Sequence, residues 1–338
     1  MLDREVDGVS PARTAGKAAA GKAPRRIAII GNLEVDLVLG PLPRMPQWGE
    51  ERIVARRERR AAGSAGYTAI ALGHLGHCPL LVGPLGSDEE GELIRAALKQ
   101  AGLSDEGLIP SADPTGLSVT LVRADGERAF VNHLGALQTF SPADVQAHWD
   151  QLSQADVVLV SGYFLLPAFR GAPLARLFRL LQDEGIVTAL DTGDAVDGWT
   201  DEVRAEMRQV LAATDWLFPN EAEACGMTGC SRWEEAACEL LGLGPKQVIV
   251  RRGSQGAAAV SGSGVVEGPV FPVQVVDTVG AGDTFNAGFL AAWAEGRSEA
   301  EALAYGAAAA ALYISSPQRA FPTGEQVRRL FVTGGRSA

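Results

Sequence analysis

The sequence predicts an α/β domain built on a mainly parallel central sheet. Short, nearly continuous apolar runs and the helical stretches between most of them carry that prediction. Two regions with one wet face interrupt the alternation and predict a second, smaller sheet. At 338 residues the chain can bury a substantial core.

In chain order, residues 1–24 carry Ala-Gly-Lys repeats with Pro11 and Pro24 and no apolar periodicity, which predicts a mobile tail. The folded domain is expected over 25–330, with 331–338 frayed. It opens with the apolar strand Arg26-Ile27-Ala28-Ile29-Ile30. Further strands are expected at 80–82, 157–160, 187–190, 216–218 and 248–250, and helices at 67–75, 90–100, 174–182 and 234–241. The wet-faced segments are 33–38 with 52–55, and 117–122 with 128–131, the latter pair joined by the turn-forming Asp125-Gly126. They place lid elements at about 33–60 and 115–133. Another strand is expected at Pro272–Val276, ahead of an apolar helix. The carboxyl ends of the main-sheet strands are the natural places for a site.

Bulk properties narrow the function. Hydrophobic residues are 46%, charged residues 21%, and the net charge is −11, which argues against a nucleic-acid partner. No apolar run reaches membrane-spanning length and the start lacks an apolar signal core, so the expectation is a cytoplasmic protein without a membrane partner. Cys78, Cys225, Cys230 and Cys238 form no Cys-x-x-Cys pair, and the histidines complete no zinc set.

The most informative run is Val276-Asp277-Thr278-Val279-Gly280-Ala281-Gly282-Asp283-Thr284-Phe285-Asn286-Ala287-Gly288-Phe289. A glycine turn entering a helix offers backbone N–H groups that lack intrahelical partners, which makes an anion site. On spacing alone, Asp283 is equally an N-cap or a base beside developing negative charge. No Walker A sequence is present, so nucleotide binding requires a different geometry.

The run resembles the C-terminal signature of the ribokinase-like, or PfkB-type, carbohydrate kinases, and the resemblance extends over about residues 26–325. It implies a ribokinase-like three-layer fold with a small β lid, and a phosphotransferase that uses ATP and Mg2+ on a hydroxyl. Asp283 matches the catalytic base, and Gly280, Ala281 and Gly282 match the anion hole. Asn32 and Asp36 match the acceptor side. Gly63, Ser64 and Tyr67 fall in a segment resembling Gly-Gly-x-x-x-Asn-x-Ala, with Ala62 in place of the first glycine and Tyr67 in place of asparagine. The Tyr67 ring can stack on a sugar or base or merely occupy the pocket. Ser87 and Asp88 read as helix caps. Arg128 and His133 are either solvated lid residues or acceptor contacts.

On the nucleotide side, Asn220 and Glu223 form a local capping-box pattern and resemble the Asn-x-x-Glu motif that organises magnesium and its waters. Gly253, Gly256 and Asn286 match nucleotide-side positions, and Arg251 or Arg252 is a candidate phosphate contact. Asp277 and the Val279 carbonyl lie where related kinases bind a monovalent cation, which implies K+ activation. The expected acceptor is a sugar or sugar-like molecule. The alternatives are a nucleoside kinase of the same fold, a phosphosugar kinase, which would need several converging cations, and a non-catalytic sugar- or nucleotide-binding protein. The lid-strand edges need protection, which a homodimer or a monomer with a packed lid would supply.

Overall fold

The computed structural model describes residues 25–125 and 127–334. The expected tail over 1–24, Gly126 of the turn and residues 335–338 lie outside the described residues. The main sheet is nine-stranded, in the order β13-β12-β11-β10-β9-β8-β1-β4-β5. Its strands are β1 (Ile27–Gly31), β4 (Leu80–Leu85), β5 (Leu108–Pro110), β8 (Val157–Ser161), β9 (Val187–Asp191), β10 (Trp216–Leu217), β11 (Gln247–Arg251), β12 (Ala257–Ser261) and β13 (Gly264–Glu267). All neighbours from β5 through β11 are parallel, and β12 and β13 add on antiparallel.

Alternate side chains of the central strands enter opposite cores, as the two-residue period of a strand requires. Ile27, Ile29, Val157, Leu159, Ala189 and Ile249 pack toward one face. There they meet α1 (Ser64–His74), α2 (Glu89–Gln100), α9 (Ala281–Ala294), α10 (Glu299–Ile314) and α11 (Gly324–Gly334). Ala28, Ile30, Val158, Val160, Leu190, Val248 and Val250 pack toward the other. That face carries α5 (Ala172–Asp183), α6 (Asp201–Leu211), α7 (Glu221–Thr228), α8 (Trp233–Gly242) and the one-turn helices α3 (Pro142–Val145) and α4 (Trp149–Leu152). Burial on both faces explains the near-continuous apolar runs.

The second sheet has four strands in the order β3-β2-β6-β7: β3 (Arg56–Ala62), β2 (Glu34–Leu42), β6 (Gly116–Arg123) and β7 (Arg128–His133). β2 leaves the carboxyl end of β1 after only Asn32 and Leu33, so this lid stands over the edge where the main strands end.

Three boundaries differ from the sequence reading. The strand expected at 52–55 begins instead at Arg56, where the chain first reaches β2 and pairs Arg56 with Gly40. Pro272–Val276 is no strand: it has no strand neighbour among the described residues, and Val276 instead donates its N–H to the Ile314 carbonyl at the end of α10 (2.8 Å). Helix α11 runs to Gly334, beyond the expected domain end.

Candidate active site

Each strand end delivers one polar group to the same edge. Beyond β1 come Asn32 and, on one face of β2, Glu34 and Asp36; β9 ends at Asp191 with Thr192, and β11 at Arg251. The helix α9 points its N-terminus at this edge. Its N-cap Gly280 has φ 79°, a left-handed conformation that disfavours a side chain. A Cβ on Gly282 would lie 2.7 Å from the Arg251 guanidinium, so the missing side chain is what lets that cation approach the helix start. The Ala281 amide turns back onto the Thr278 carbonyl (3.1 Å), whereas helix geometry leaves the next first-turn amides without intrahelical partners.

A cleft of about 550 Å³ runs from this helix start to the lid. It brings Asp283, Gly280 and Val279 together with Asp36, Gly63, Ser64 and Tyr67, and with Arg128 and Phe130 from β7. Asp283 is partly exposed. Burial, then Asp191, raises its carboxyl well above the ordinary value, and Arg251 opposes them. Burial also raises Asp36, to about 6, against a hydrogen bond donated by the Tyr67 hydroxyl (3.0 Å).

Of the other expected residues, Asn32, His133 and Asp88 lie outside the cleft lining. Asn32 is buried beneath it, donating from Nδ2 to Glu34 (3.3 Å) and accepting from the Ala65 amide (3.4 Å). Tyr67 is 4% exposed, with its ring centroid 6.0 Å from Phe321 and 6.5 Å from Tyr313. The ring is therefore a packed wall, without an open face for stacking, and it sets Asp36 in place. His133 is exposed, whereas Arg128 reaches Thr278 Oγ1 (2.8 Å) and the Asp277 carboxylate (3.1 Å). Asp88 caps α2 through the Gly91 amide (2.9 Å) and also binds Thr115.

On the other side of Asp283, Asn220 and Glu223 form a reciprocal capping box (2.7 and 2.8 Å). Arg251 forks onto Asp191 (2.7 and 3.0 Å), and its second nitrogen also reaches Glu223 (3.3 Å) and the Phe218 carbonyl (2.7 Å). Asn286 is wholly buried, bonded to Asp191 and Arg251, and so braces this cluster. Burial pushes Glu223 up to about 7, with Arg251 opposing. Gly253 and Gly256 sit at the β11–β12 turn on the same edge. Among the described residues no group of three or more His, Cys, Asp or Glu side chains could hold a metal ion.

Several groups escaped the sequence reading. Glu34 lines the cleft, is 6% exposed, and its Oε2 has no partner among the described residues; burial, then Asp36, pushes it up to about 8. Thr192 lines the cleft with a buried hydroxyl that has no partner among the described residues. The signal for Glu34 was present, because residues i and i+2 of a strand share a face with Asp36. Asp191 and Thr192 were findable as a strand end.

Residues 25–324 match the pfkB family carbohydrate kinase. Ribokinase of Bacillus subtilis is 29% identical over 90% of this chain and 99% of its own length. The ATP-dependent ribose-1-phosphate kinase of Halopiger xanaduensis is 29% identical over 89% of this chain and 96% of its own. The structure of Arabidopsis thaliana ribokinase complexed with ribose and ATP superposes with a TM-score of 0.74 at 26% identity, covering 92% of this chain and 99% of that one. The chain belongs to the pfkB family of carbohydrate kinases, and its two-sheet architecture is the ribokinase fold with its β lid. It is an ATP-dependent kinase of the sugar and nucleoside kinase class.

Proposed function

We propose that the enzyme transfers the γ-phosphoryl group of ATP to a hydroxyl of an uncharged, polyhydroxylated acceptor, a free sugar. The observation that carries this reading is one cleft holding Asp283 and the α9 N-terminus at one end and, around it, Asp36 with Glu34 Oε2 and the Thr192 hydroxyl, two buried atoms without partners among the described residues. Buried polar atoms without partners are costly, and acceptor hydroxyls would satisfy them. Glu34, Asp36, Asp194 and Asp283 face this space, whereas Arg128, already held by Asp277 and Thr278, is its lone cation among the described lining residues. Such a lining does not supply the converging cations that a phosphorylated acceptor needs.

In the reaction, Asp283 takes the hydroxyl proton as the acceptor oxygen attacks the γ-phosphorus, and the leaving oxygen departs with ADP. Its raised carboxyl binds a proton more readily than an ordinary carboxylate does, as a base must. First-turn amides of α9 face the transferring oxygens and stabilise their charge. Asn220 and Glu223 would hold magnesium through water; the ion, when bound, offsets phosphate charge. Their oxygen-only donor set fits a hydrated hard cation.

The nucleoside reading stands second because the cleft wall includes Leu165, Val196 and the 53% exposed Phe130, an apolar surface suited to a base. A homodimer through the lid follows from the same sheet, with Val131 exposed on its edge strand and Met45, Trp48 and Ile53 in the adjoining loop. Light scattering on the eluting protein would read its mass.

The direct experiment is transfer from labelled ATP with magnesium across free sugars, nucleosides and phosphosugars, with products identified by mass. Transfer to a free sugar supports the reading. Preference for a nucleoside moves it to the second, and preference for a phosphosugar overturns the charge argument.

A further inference from the structure

The resemblance implies a monovalent cation at Asp277 and the Val279 carbonyl, but these oxygens already face a cation of the chain itself. Arg319 donates Nη1 to the Asp277 carbonyl (2.7 Å) and Nη2 to the Val279 carbonyl (2.6 Å). Its Nη1 also lies 3.3 Å from the Asp277 carboxylate, and Nη2 reaches the Tyr313 hydroxyl at 3.2 Å. The guanidinium stacks over the Tyr313 ring at 4.7 Å, and the side chain is only 6% exposed. A bound potassium ion would need these same oxygens, so the residues present do not fit it.

A second observation concerns the backbone. Arg319 is the one non-glycine residue with positive φ among the described residues, at 56°. That conformation disfavours a side chain, yet the position carries a long one aimed inward.

We infer that Arg319 is a tethered cation that positions the anion-hole loop, making this kinase independent of monovalent cations. The physical link is the trans peptide plane, in which the C=O of one residue points opposite to the N–H of the next. Holding the Val279 carbonyl toward the guanidinium turns the N–H of Gly280, a residue of the cleft lining, away from it. Holding the Asp277 carbonyl fixes the Thr278 amide in the same manner. Arg319 is thus a positioning residue, acting through the Asp277–Gly280 backbone.

This inference rests on the phosphotransferase reading of the same site, and its test has an arm that does not. Wild-type protein is melted, and assayed for transfer, in potassium, sodium or tetramethylammonium chloride at equal ionic strength. Neither the melting midpoint nor kcat is expected to distinguish the three salts. Arg319→Gly, which suits the positive φ, is expected to lose kcat by about tenfold or more, on the scale of a misplaced oxyanion donor. Potassium or guanidinium ion should restore part of that loss and raise the variant's melting midpoint, as a ligand of the folded state does. Arg319→Lys, which retains the charge without the fork, keeps the question answerable if the glycine variant does not fold; it should lose less kcat and remain indifferent to potassium. A wild-type midpoint or rate that rises specifically with potassium would overturn the inference. So would a folded glycine variant that stays slow and unresponsive to both cations, since the arginine would then serve structure alone. Absence of transfer to every acceptor would count against the kinase reading, while the melting arm would still decide whether an added cation enters the site.

Discussion

Two ion clusters of opposite make-up flank the segment from Asp277 to Asp283. Behind it, one carboxylate, Asp277, faces three guanidiniums: Arg319 (3.3 Å), Arg128 (3.1 Å) and Arg60 (3.5 Å). In front, one guanidinium, Arg251, faces Asp191 (2.7 Å) and Glu223 (3.3 Å). Burial pushes Asp277 up, but the Val279 amide and the arginines outweigh it and hold the carboxyl below its ordinary value. In the front cluster burial and neighbouring carboxylates prevail, and both Glu223 and Asp283 are raised. The rear cluster is a fixed ionic clamp on the loop. The front cluster has surplus negative charge, which can receive a proton or a metal-bound phosphate. Charge balance therefore separates the part that holds the loop from the part to which the proposed chemistry is assigned.

The largest test of that division is Asp283→Asn, which keeps the size and removes the base. Turnover is expected to fall by about 10²–10⁴-fold, the usual worth of general base catalysis, with little change in the denaturation midpoint. A folded variant with near-normal turnover would remove Asp283 from the chemistry. Next comes Arg251→Met, which leaves Asp191 and Glu223 buried without their cation. Breaking a buried pair from one side costs about 3–5 kcal/mol, so urea unfolding should show a loss of that order. A loss of less than about 1 kcal/mol would mean that the front cluster is wet enough to do without its centre.

Much of this arrangement was legible from local patterns. The strand at 27–31 and the glycine turn before α9 declare themselves through apolar runs and through residues that a tight turn needs. What escaped reading was created by tertiary contact. Arg319 lies 40 residues from Val279 in sequence, and nothing around Ser315-Ser316-Pro317-Gln318 marks it as a loop clamp. Pro272–Val276 has the composition of a strand but, among the described residues, no neighbouring strand to pair with, and composition cannot supply one. Tyr67 was legible as a departure in a motif, while its role depends on Phe321 and Tyr313, which arrive from the far end of the chain.

Glu34→Gln tests the acceptor side of the cleft. Burial raises Glu34 from 4.5 to about 8, so near neutral pH it is a protonated acid that can donate to an acceptor oxygen while Asp36 accepts. Its stabilising contribution is complete below pH 4.5 and is lost as pH climbs through about 8. In that window the glutamine variant should lack a stability slope of about 1.4 kcal/mol per pH unit contributed by this group. Its kcat/KM at neutral pH should stay within several-fold of wild type, and the fall near pH 8 should flatten. Parallel stability curves for the two proteins would show that Glu34 is ionised already.

The smallest expected effect, Tyr67→Phe, probes the bridge between the acceptor carboxylate and the aromatic packing around Tyr313. The hydroxyl donates to Asp36 at 3.0 Å, and the ring lies against Tyr313, which Arg319 holds. Removing one hydrogen bond to a charged group costs about 1.5–3 kcal/mol at most, and less where water replaces it. The acceptor KM should rise several-fold with kcat nearly unchanged, because the contact sets substrate binding and leaves the transferring oxygens alone. The pH profile gives the sharper reading. Asp36 must be ionised to accept from the acceptor, so kcat/KM should fall as pH drops through about 6. Loss of the Tyr67 bond removes a force that lowers Asp36, and the acid limb should move to higher pH in the variant. An unmoved limb would mean that the titrating group is another carboxylate, and would detach Tyr67 from acceptor binding while leaving its place in the aromatic wall intact.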